Sequence, residues 1–214
     1  MKVEIWSDVM CPFCYIGKRH FEAALKEFSG RDSVTVEWKS FQLNPSMVTD
    51  PTRNVTQYLA EIKGVSVEQA KKMNAQVTAM AKEAGLTYDF DKAVVANSFD
   101  AHRLSHFAKQ FGKQDDVEER LFRAYFTEGK NTADHDTLVR LAEEAGLDAG
   151  AVRTMLAGKD FAEDVERDIY EAQQVGARGV PFFVFDDKYA VSGAQPVQLF
   201  AQVLNTVSEE QKKV

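Results

Sequence analysis

The stretch Trp6-Ser7-Asp8-Val9-Met10-Cys11-Pro12-Phe13-Cys14-Tyr15-Ile16-Gly17 marks the point where one periodicity ends and another begins. Before it, residues 2 to 6 read as a short buried strand, with Val3 and Ile5 facing one way and a break at Ser7-Asp8. After it the pattern is helical from Pro12 to about Phe28, because Phe21, Leu25 and Phe28 fall at i, i+4 and i+7. Proline suits the first helical position, where its missing N–H would have been unsatisfied anyway. That places Cys11 at the helix N-cap and Cys14 one turn in. Gly17 leaves room for close approach to whatever the helix covers.

Working outward, Val34, Val36 and Trp38 alternate with Thr35, Glu37 and Lys39, which predicts a half-buried strand ending near Ser40 or Phe41. Strand, helix, strand permits a right-handed parallel βαβ unit. Past Asn44-Pro45 and Asp50-Pro51 the helical period holds for about a hundred residues, with nothing strand-like to interrupt it. Ser66 and Gln69 form a capping box for a helix whose stripe is Met73, Val77, Met80 and Ala84. Further stripes run through Leu104, Phe107 and Phe111, then Val117, Leu121 and Tyr125, then Leu138, Leu141 and Ala145, each followed by a glycine. A stripe of Phe161, Val165, Ile169 and Ala172 leads back to a β pattern.

That pattern is the apolar run Val180-Pro181-Phe182-Phe183-Val184-Phe185, a turn at Asp186-Asp187 and a return strand over Lys188-Tyr189-Ala190-Val191, hence a β-hairpin. Val197, Phe200, Leu204 and Val207 mark a last helix. The reading is an α/β chain in which residues 1–45 and 176–214 build one discontinuous sheet domain. Residues 46–175 are an all-α insertion whose last helix leads back into it.

The composition is 44% hydrophobic and 28% charged, the balance of a globular protein with a substantial core. Thirty-three acidic against 26 basic side chains give a net charge of -7 without any run of five or six like charges, so nucleic acid and anionic membrane are poor partners. No apolar run approaches the roughly 18 residues that a spanning helix needs. Met1 leads straight into Lys2-Val3-Glu4 without the apolar core of a signal peptide, so a cytoplasmic location is expected. Two cysteines exclude a disulfide framework.

A Cys-x-x-Cys pair at a strand-to-helix junction is informative in a chain with no other cysteine. A helix N-terminus offers unpaired N–H groups and the positive end of the macrodipole, which favours a sulfur anion at Cys11. Cys14, one turn down and less exposed, stays a thiol until it attacks a mixed disulfide. Two other readings stand beside this one. The cysteines are a buried structural pair, or they are half of a zinc site completed by His102 and His106 at i, i+4. On their own those two histidines, with His20 and His135, read as structural. Asp8 is the nearest carboxylate in sequence. It either accepts the proton of the sulfur or hydrogen-bonds the N–H groups of its own turn.

The opening block, the segment Asn97-Ser98-Phe99-Asp100-Ala101-His102-Arg103-Leu104, and Gly179-Val180-Pro181-Phe182-Phe183-Val184 leading to Val191-Ser192-Gly193-Ala194-Gln195-Pro196 together resemble the DsbA family, in its FrnE-like branch of cytoplasmic oxidoreductases. The resemblance covers essentially the whole chain. It implies a thioredoxin-like fold with a large helical insertion, a redox-active Cys11/Cys14 pair and a cis Val180–Pro181 bond facing the sulfurs. In that setting Val180, Pro181, Pro12 and Phe13 contact the substrate, and the backbone of Val180 is free to pair with it. The implied partners are protein or small-molecule thiols and disulfides. No resident cofactor is implied, glutathione is admitted as a co-substrate, and a homodimer is left open. Two positions depart from the family pattern. Ile5 stands where a buried acid is usual, and Pro-Phe lies between the cysteines. Two alternatives remain: glutathione-dependent chemistry of the kappa-class transferase or hydroxychromene-carboxylate isomerase kind, whose members usually carry serine at the place of Cys11, and a redox-switched binding protein.

Overall fold

The computed structural model describes residues 1–212. Strand β1 (Lys2–Ser7) runs into helix α1 (Pro12–Glu27), and a 3-10 turn (Arg31–Ser33) leads to β2 (Thr35–Ser40). Strand β3 (Asp50–Asn54) is followed by α2 (Val55–Lys63), α3 (Val67–Glu83) and β4 (Val94–Val95). Five helices come next: α4 (Phe99–Lys109), α5 (Gln114–Phe126), α6 (His135–Glu144), α7 (Ala149–Ala157) and α8 (Ala162–Gln174). The hairpin β5 (Phe182–Phe185) and β6 (Tyr189–Ser192) and helix α9 (Val197–Gln211) close the chain.

One sheet has the order β2-β1-β5-β6. β1 pairs in parallel with β2 and antiparallel with β5, so Ile5 lies between Trp38 and Phe183. The Asp186-Asp187 turn adopts positive φ at both residues (46° and 56°), the twist that a two-residue hairpin needs. Both faces of the sheet are covered. On one, α1 and α9 bring Phe21 and Phe200 against Phe183, with ring centroids 4.7 to 5.8 Å apart. On the other, Trp6 packs with Phe182, Val184, Ala172 and Ala177, and its indole N–H donates to the Asp168 carbonyl of α8 at 2.9 Å. This second cover explains why Glu4 and Trp6 are buried as well as Val3 and Ile5. The free edge of β2 is closed by Gln114 of α5, whose side-chain amide accepts from Trp38 N–H at 3.1 Å and donates to Trp38 C=O at 2.9 Å.

The segment between β2 and β5 is helical, as its periodicity indicates, but it is not all-α. β3 and β4 form a small antiparallel ladder, pairing Asp50 with Val95 and Asn54 with Val94 across a register shift. The stripe assigned to α3 is also rotated. Ala70, Asn74 and Ala81 are buried, whereas Met73 and Met80 are 38% and 42% exposed. The helix packs through small residues, and Asn74 Nδ2 donates to Thr56 Oγ1 of α2 at 2.9 Å. Phe111 lies beyond the end of α4 and is exposed, leaving Leu104 and Phe107 to carry that stripe. Among the described residues no helix is long and apolar enough to cross a membrane.

Candidate functional site

The turn from β1 into α1 is built by local backbone bonds: Cys11 N–H donates to Asp8 C=O at 2.9 Å, and Cys14 N–H to Cys11 C=O at 3.0 Å. Cys11 is the N-cap with extended backbone (φ -86°, ψ 111°), and Pro12 opens the helix. Its side chain caps no N–H, which leaves the sulfur free for chemistry. The Cys11 thiol instead donates to the carbonyl of Val180 at 3.4 Å. Cys11 is therefore less open than an exposed helix start would be, at 4% exposure, with Cys14 deeper still at 1%. Both are free thiols.

Burial pushes the Cys14 thiol well above its ordinary range, and the Cys11 sulfur beside it adds to the effect. The Ser7 side chain and the Asp8 backbone N–H face the same sulfur and act in the opposite direction. The Ser7 hydroxyl is buried and outside regular hydrogen-bond geometry with any partner. The two thiols stand in different surroundings. One sits on a helix N-terminus under a carbonyl, and the other is buried behind it, where burial disfavours its thiolate.

The Val180–Pro181 peptide bond is cis. The reading of Val180 as an unengaged backbone needs a correction, since its carbonyl accepts the Cys11 thiol. A thiolate has no proton to give, so ionisation of Cys11 releases that carbonyl. Pro181 is held against α1: a Cβ on Gly17 would lie 2.9 Å from Pro181 Cγ, which is why glycine is required there. Of the two residues between the cysteines, Phe13 is 38% exposed, and Pro12 offers its carbonyl to the Tyr88 hydroxyl at 2.7 Å.

Asp8 is buried, at 1% exposure. Its Oδ1 accepts the Met10 N–H of its own turn at 3.3 Å, and its Oδ2 accepts Leu43 N–H at 2.8 Å. In addition it faces His102 of α4, whose Nε2 lies 3.6 Å from Asp8 Oδ1, beyond hydrogen-bond range but close enough for a strong charge interaction. Burial alone would lower the imidazole. Asp8, with Glu118 and the Phe41 backbone, outweighs this and raises it above its ordinary value. Burial raises the Glu118 carboxyl, against the pull of His102 and the Ser105 hydroxyl. His106 takes a different acid, Asp168, at 2.9 Å. The two histidines therefore face different acids and do not converge on one centre. His20 and His135 find partners of their own, the Gln195 carbonyl at 2.9 Å and the Asp100 carboxylate at 2.7 Å.

Sequence reasoning missed three contributors. Tyr88 carried no signal, being one aromatic in a loop. Ser7 was read only as the end of a strand. Glu118 was not singled out, although its place one turn from Leu121 and next to Val117 on an amphipathic helix was a clue. Tyr88 also walls a cleft of about 450 Å³ between α2, α3 and the 88–91 loop, lined in part by Lys71, Asn74 and Thr56. Tyr15 stacks on Tyr88 and Phe122, with centroids 6.2 and 5.0 Å apart, so the cysteine turn and the cleft share one aromatic wall.

A DSBA-like thioredoxin domain matches residues 2–205. The chain is 33% identical over 222 residues to the Bacillus subtilis protein YwbO, covering 99% of this chain and 98% of that one. Among solved structures, a probable DsbA oxidoreductase from Streptomyces coelicolor superposes with a TM-score of 0.93 at 42% identity, over 98% of this chain and 91% of the other. The cytosolic disulfide reductase DsbM from Pseudomonas aeruginosa, solved with GSH, shares the fold at a TM-score of 0.66 and 17% identity, with both chains fully covered. The chain belongs to the DSBA-like thioredoxin domain family.

Proposed function

We propose that this protein is a thiol-disulfide oxidoreductase working through Cys11 and Cys14. The observation that carries the reading is the division between the two sulfurs: Cys11 stands at the N-cap position of a helix beneath Val180 C=O, and Cys14 is buried behind it as a hard-to-ionise thiol. In the reducing direction the Cys11 thiolate attacks one sulfur of a substrate disulfide. The substrate S–S bond breaks, the departing thiolate takes a proton from solvent, and Cys11 is left in a mixed disulfide. Cys14 then loses its proton and attacks the Cys11 sulfur. The mixed disulfide breaks, the second substrate sulfur leaves as a thiolate and takes up a proton in place of the one Cys14 gave to solvent, the Cys11–Cys14 disulfide forms, and two electrons have passed to the substrate. Oxidation of a substrate dithiol is the reverse sequence.

Val180 and Pro181 orient the substrate chain, and exposed Phe13 gives it an apolar contact. The cleft beside Tyr88 suits a small peptidic thiol such as glutathione, with Lys71 on its rim to meet a carboxylate. Protein and small-molecule disulfides are both substrates under this reading, and the protein works in the cytoplasm. Cys11→Ser abolishes turnover of a model protein disulfide. Cys14→Ser retains the first attack and accumulates mixed disulfides that can be identified by mass spectrometry. Wild-type turnover in both variants would show the assignment to be wrong.

A further inference from the structure

Phe111 is the most exposed phenylalanine among the described residues, at 57%, and it stands on the turn after α4. Gly112 takes a left-handed backbone there (φ 66°), and a Cβ on it would meet nothing within 4 Å, so the turn projects into open space. The ammonium of Lys113, next in the chain, meets Asp116 in an exposed pair at 2.9 Å, a kind of contact that exchanges partners at little cost. Phe111-Gly112-Lys113 is thus an apolar knob with a cation beside it.

Next to the knob lies a hole. A groove of about 560 Å³ runs between α4, α7 and the start of α8, with Phe107, Met155 and Phe161 among its walls and Asp160 on its rim. Phe107 belongs to both features, its ring centroid lying 5.1 Å from that of Phe111 and 5.9 Å from that of Phe161. Phe111 does not line the groove of its own chain. Asp160 is exposed and enters no ion pair among the described residues, whereas Asp164 shares Arg167. This side of the groove is firmly built. Phe161 holds a left-handed backbone (φ 64°), which a bulky residue seldom adopts. Buried Arg103 fixes the segment before it by donating to the carbonyls of Met155, Gly158 and Asp160 at 2.8 Å each.

We propose that this face is the contact between two copies of the chain related by a two-fold axis. Phe111 of each copy enters the groove of the other, and Lys113 of each meets the other's Asp160. A two-fold contact needs a surface complementary to itself, and an apolar knob flanked by a cation, set beside an apolar hole flanked by an acid, supplies both halves on one face. The charges decide the occupant. A chain of net charge -7 repels its own copy at long range, so pairing depends on bringing a local cation to an unpaired acid, which Lys113 and Asp160 do. Phenyl rings bury about 150–250 Å² each, part of the roughly 1,200–2,000 Å² of a stable contact. The exposed residues Gln110, Ala151 and Thr154 along the groove supply further area. His102, which faces the cysteine turn, lies near the start of α4 and the knob beyond its end, so changes at the knob do not touch Cys11 or Cys14.

Sedimentation equilibrium of the full-length protein over about 1–100 µM tests the inference, and a monomer–dimer equilibrium is expected in that range. Phe111→Ser weakens pairing by about a hundredfold or more, because symmetry counts each lost ring twice, and leaves turnover at the cysteines unchanged. Asp160→Lys and Lys113→Glu each weaken it by about tenfold. Mixing those two variants restores it, since the mixed pair sets the introduced lysine against the introduced glutamate at one contact and joins the original partners at the other. A single-chain mass throughout the range, a result that needs no variant to fold, overturns the inference and leaves the groove to a foreign cationic segment. Pairing that survives Phe111→Ser overturns it by moving the contact to another face. An open series of larger assemblies, or a mixture no tighter than its components, contradicts the two-fold arrangement.

Discussion

Gly17→Ala sets two known effects against each other. In an exposed helix interior the change stabilises by about 0.5–1 kcal/mol, because glycine costs backbone entropy. At position 17 the new Cβ would stand 2.9 Å from Pro181 Cγ and 3.5 Å from both Ala194 Cα and Phe183 Cζ. Carbon atoms settle at about 3.5–4.0 Å, so the Pro181 contact must open by roughly 0.6 Å or more. The proline has little freedom to yield, since its carbonyl is tied to Gly193 N–H at 2.8 Å and Phe183 next to it is buried in the aromatic core. Overpacking of this kind costs about 1–3 kcal/mol, which exceeds the helix gain, so the variant is less stable by about 1 kcal/mol. The displacement also carries Val180 away from Cys11, stretching a contact that is already 3.4 Å long. Turnover of a protein disulfide therefore falls by about tenfold or more, on the scale that misplacement of a fraction of an ångström exacts from an oriented reaction. Urea denaturation followed by fluorescence, with a check that the m-value is unchanged, reads the first effect, and an insulin-reduction assay reads the second. A variant that is more stable than the parent and fully active would refute the packing argument.

Asp168, fully buried, accepts Lys39 Nζ and Ser40 N–H at 2.9 Å each, and His106 Nε2, which also meets the Ser40 hydroxyl at 3.1 Å, lies 2.9 Å from its Oδ2. Burial acts to raise its carboxyl, but His106, the Ser40 amide and Lys39 outweigh it and hold the group below the ordinary carboxylate value. A depressed folded-state value means stability that is present above the unfolded carboxylate range of about 3.9 and lost as pH falls below it. Asp168→Asn therefore costs about 3 kcal/mol at neutral pH, with the two stability curves converging on acidification, which denaturant midpoints measured from pH 7 down to about 3 will show. Tyr88→Phe removes the bond to the Pro12 carbonyl at a cost of about 1 kcal/mol in thermal or denaturant unfolding. It also weakens glutathione binding, measured by calorimetry on the oxidised protein. Unchanged glutathione affinity would separate the cleft from the substrate path.

The parts of the fold that rest on local pattern were legible in the sequence. Val3 and Ile5, the proline after Cys11, the Ser66 capping box and the Asp186-Asp187 turn each state their own geometry. The elements that escaped depend on tertiary contact. β3 carries Pro51 and no apolar alternation, and β4 is two residues long, so only their proximity makes them a ladder. The buried face of α3 was misplaced because methionine outweighs alanine in a hydrophobic stripe, yet close packing against α2 selects the alanines. At the site, Cys11 and Cys14 announced themselves by spacing. His102 and His106 suggested a shared purpose by theirs, and each was claimed by a different acid from a distant part of the chain, Asp8 and Asp168. No local signal encodes that choice, because it follows from how α4 lies against the ends of β1 and β2.

Equilibration of the protein with glutathione buffers of graded redox poise, followed by acid quenching and mass analysis, tests the central claim directly. The account predicts a single two-electron transition between the dithiol and a Cys11–Cys14 disulfide, with any glutathione adduct on Cys11 minor and transient. A stable glutathione adduct with Cys14 left as a thiol across the whole range, or no transition at all, would contradict it.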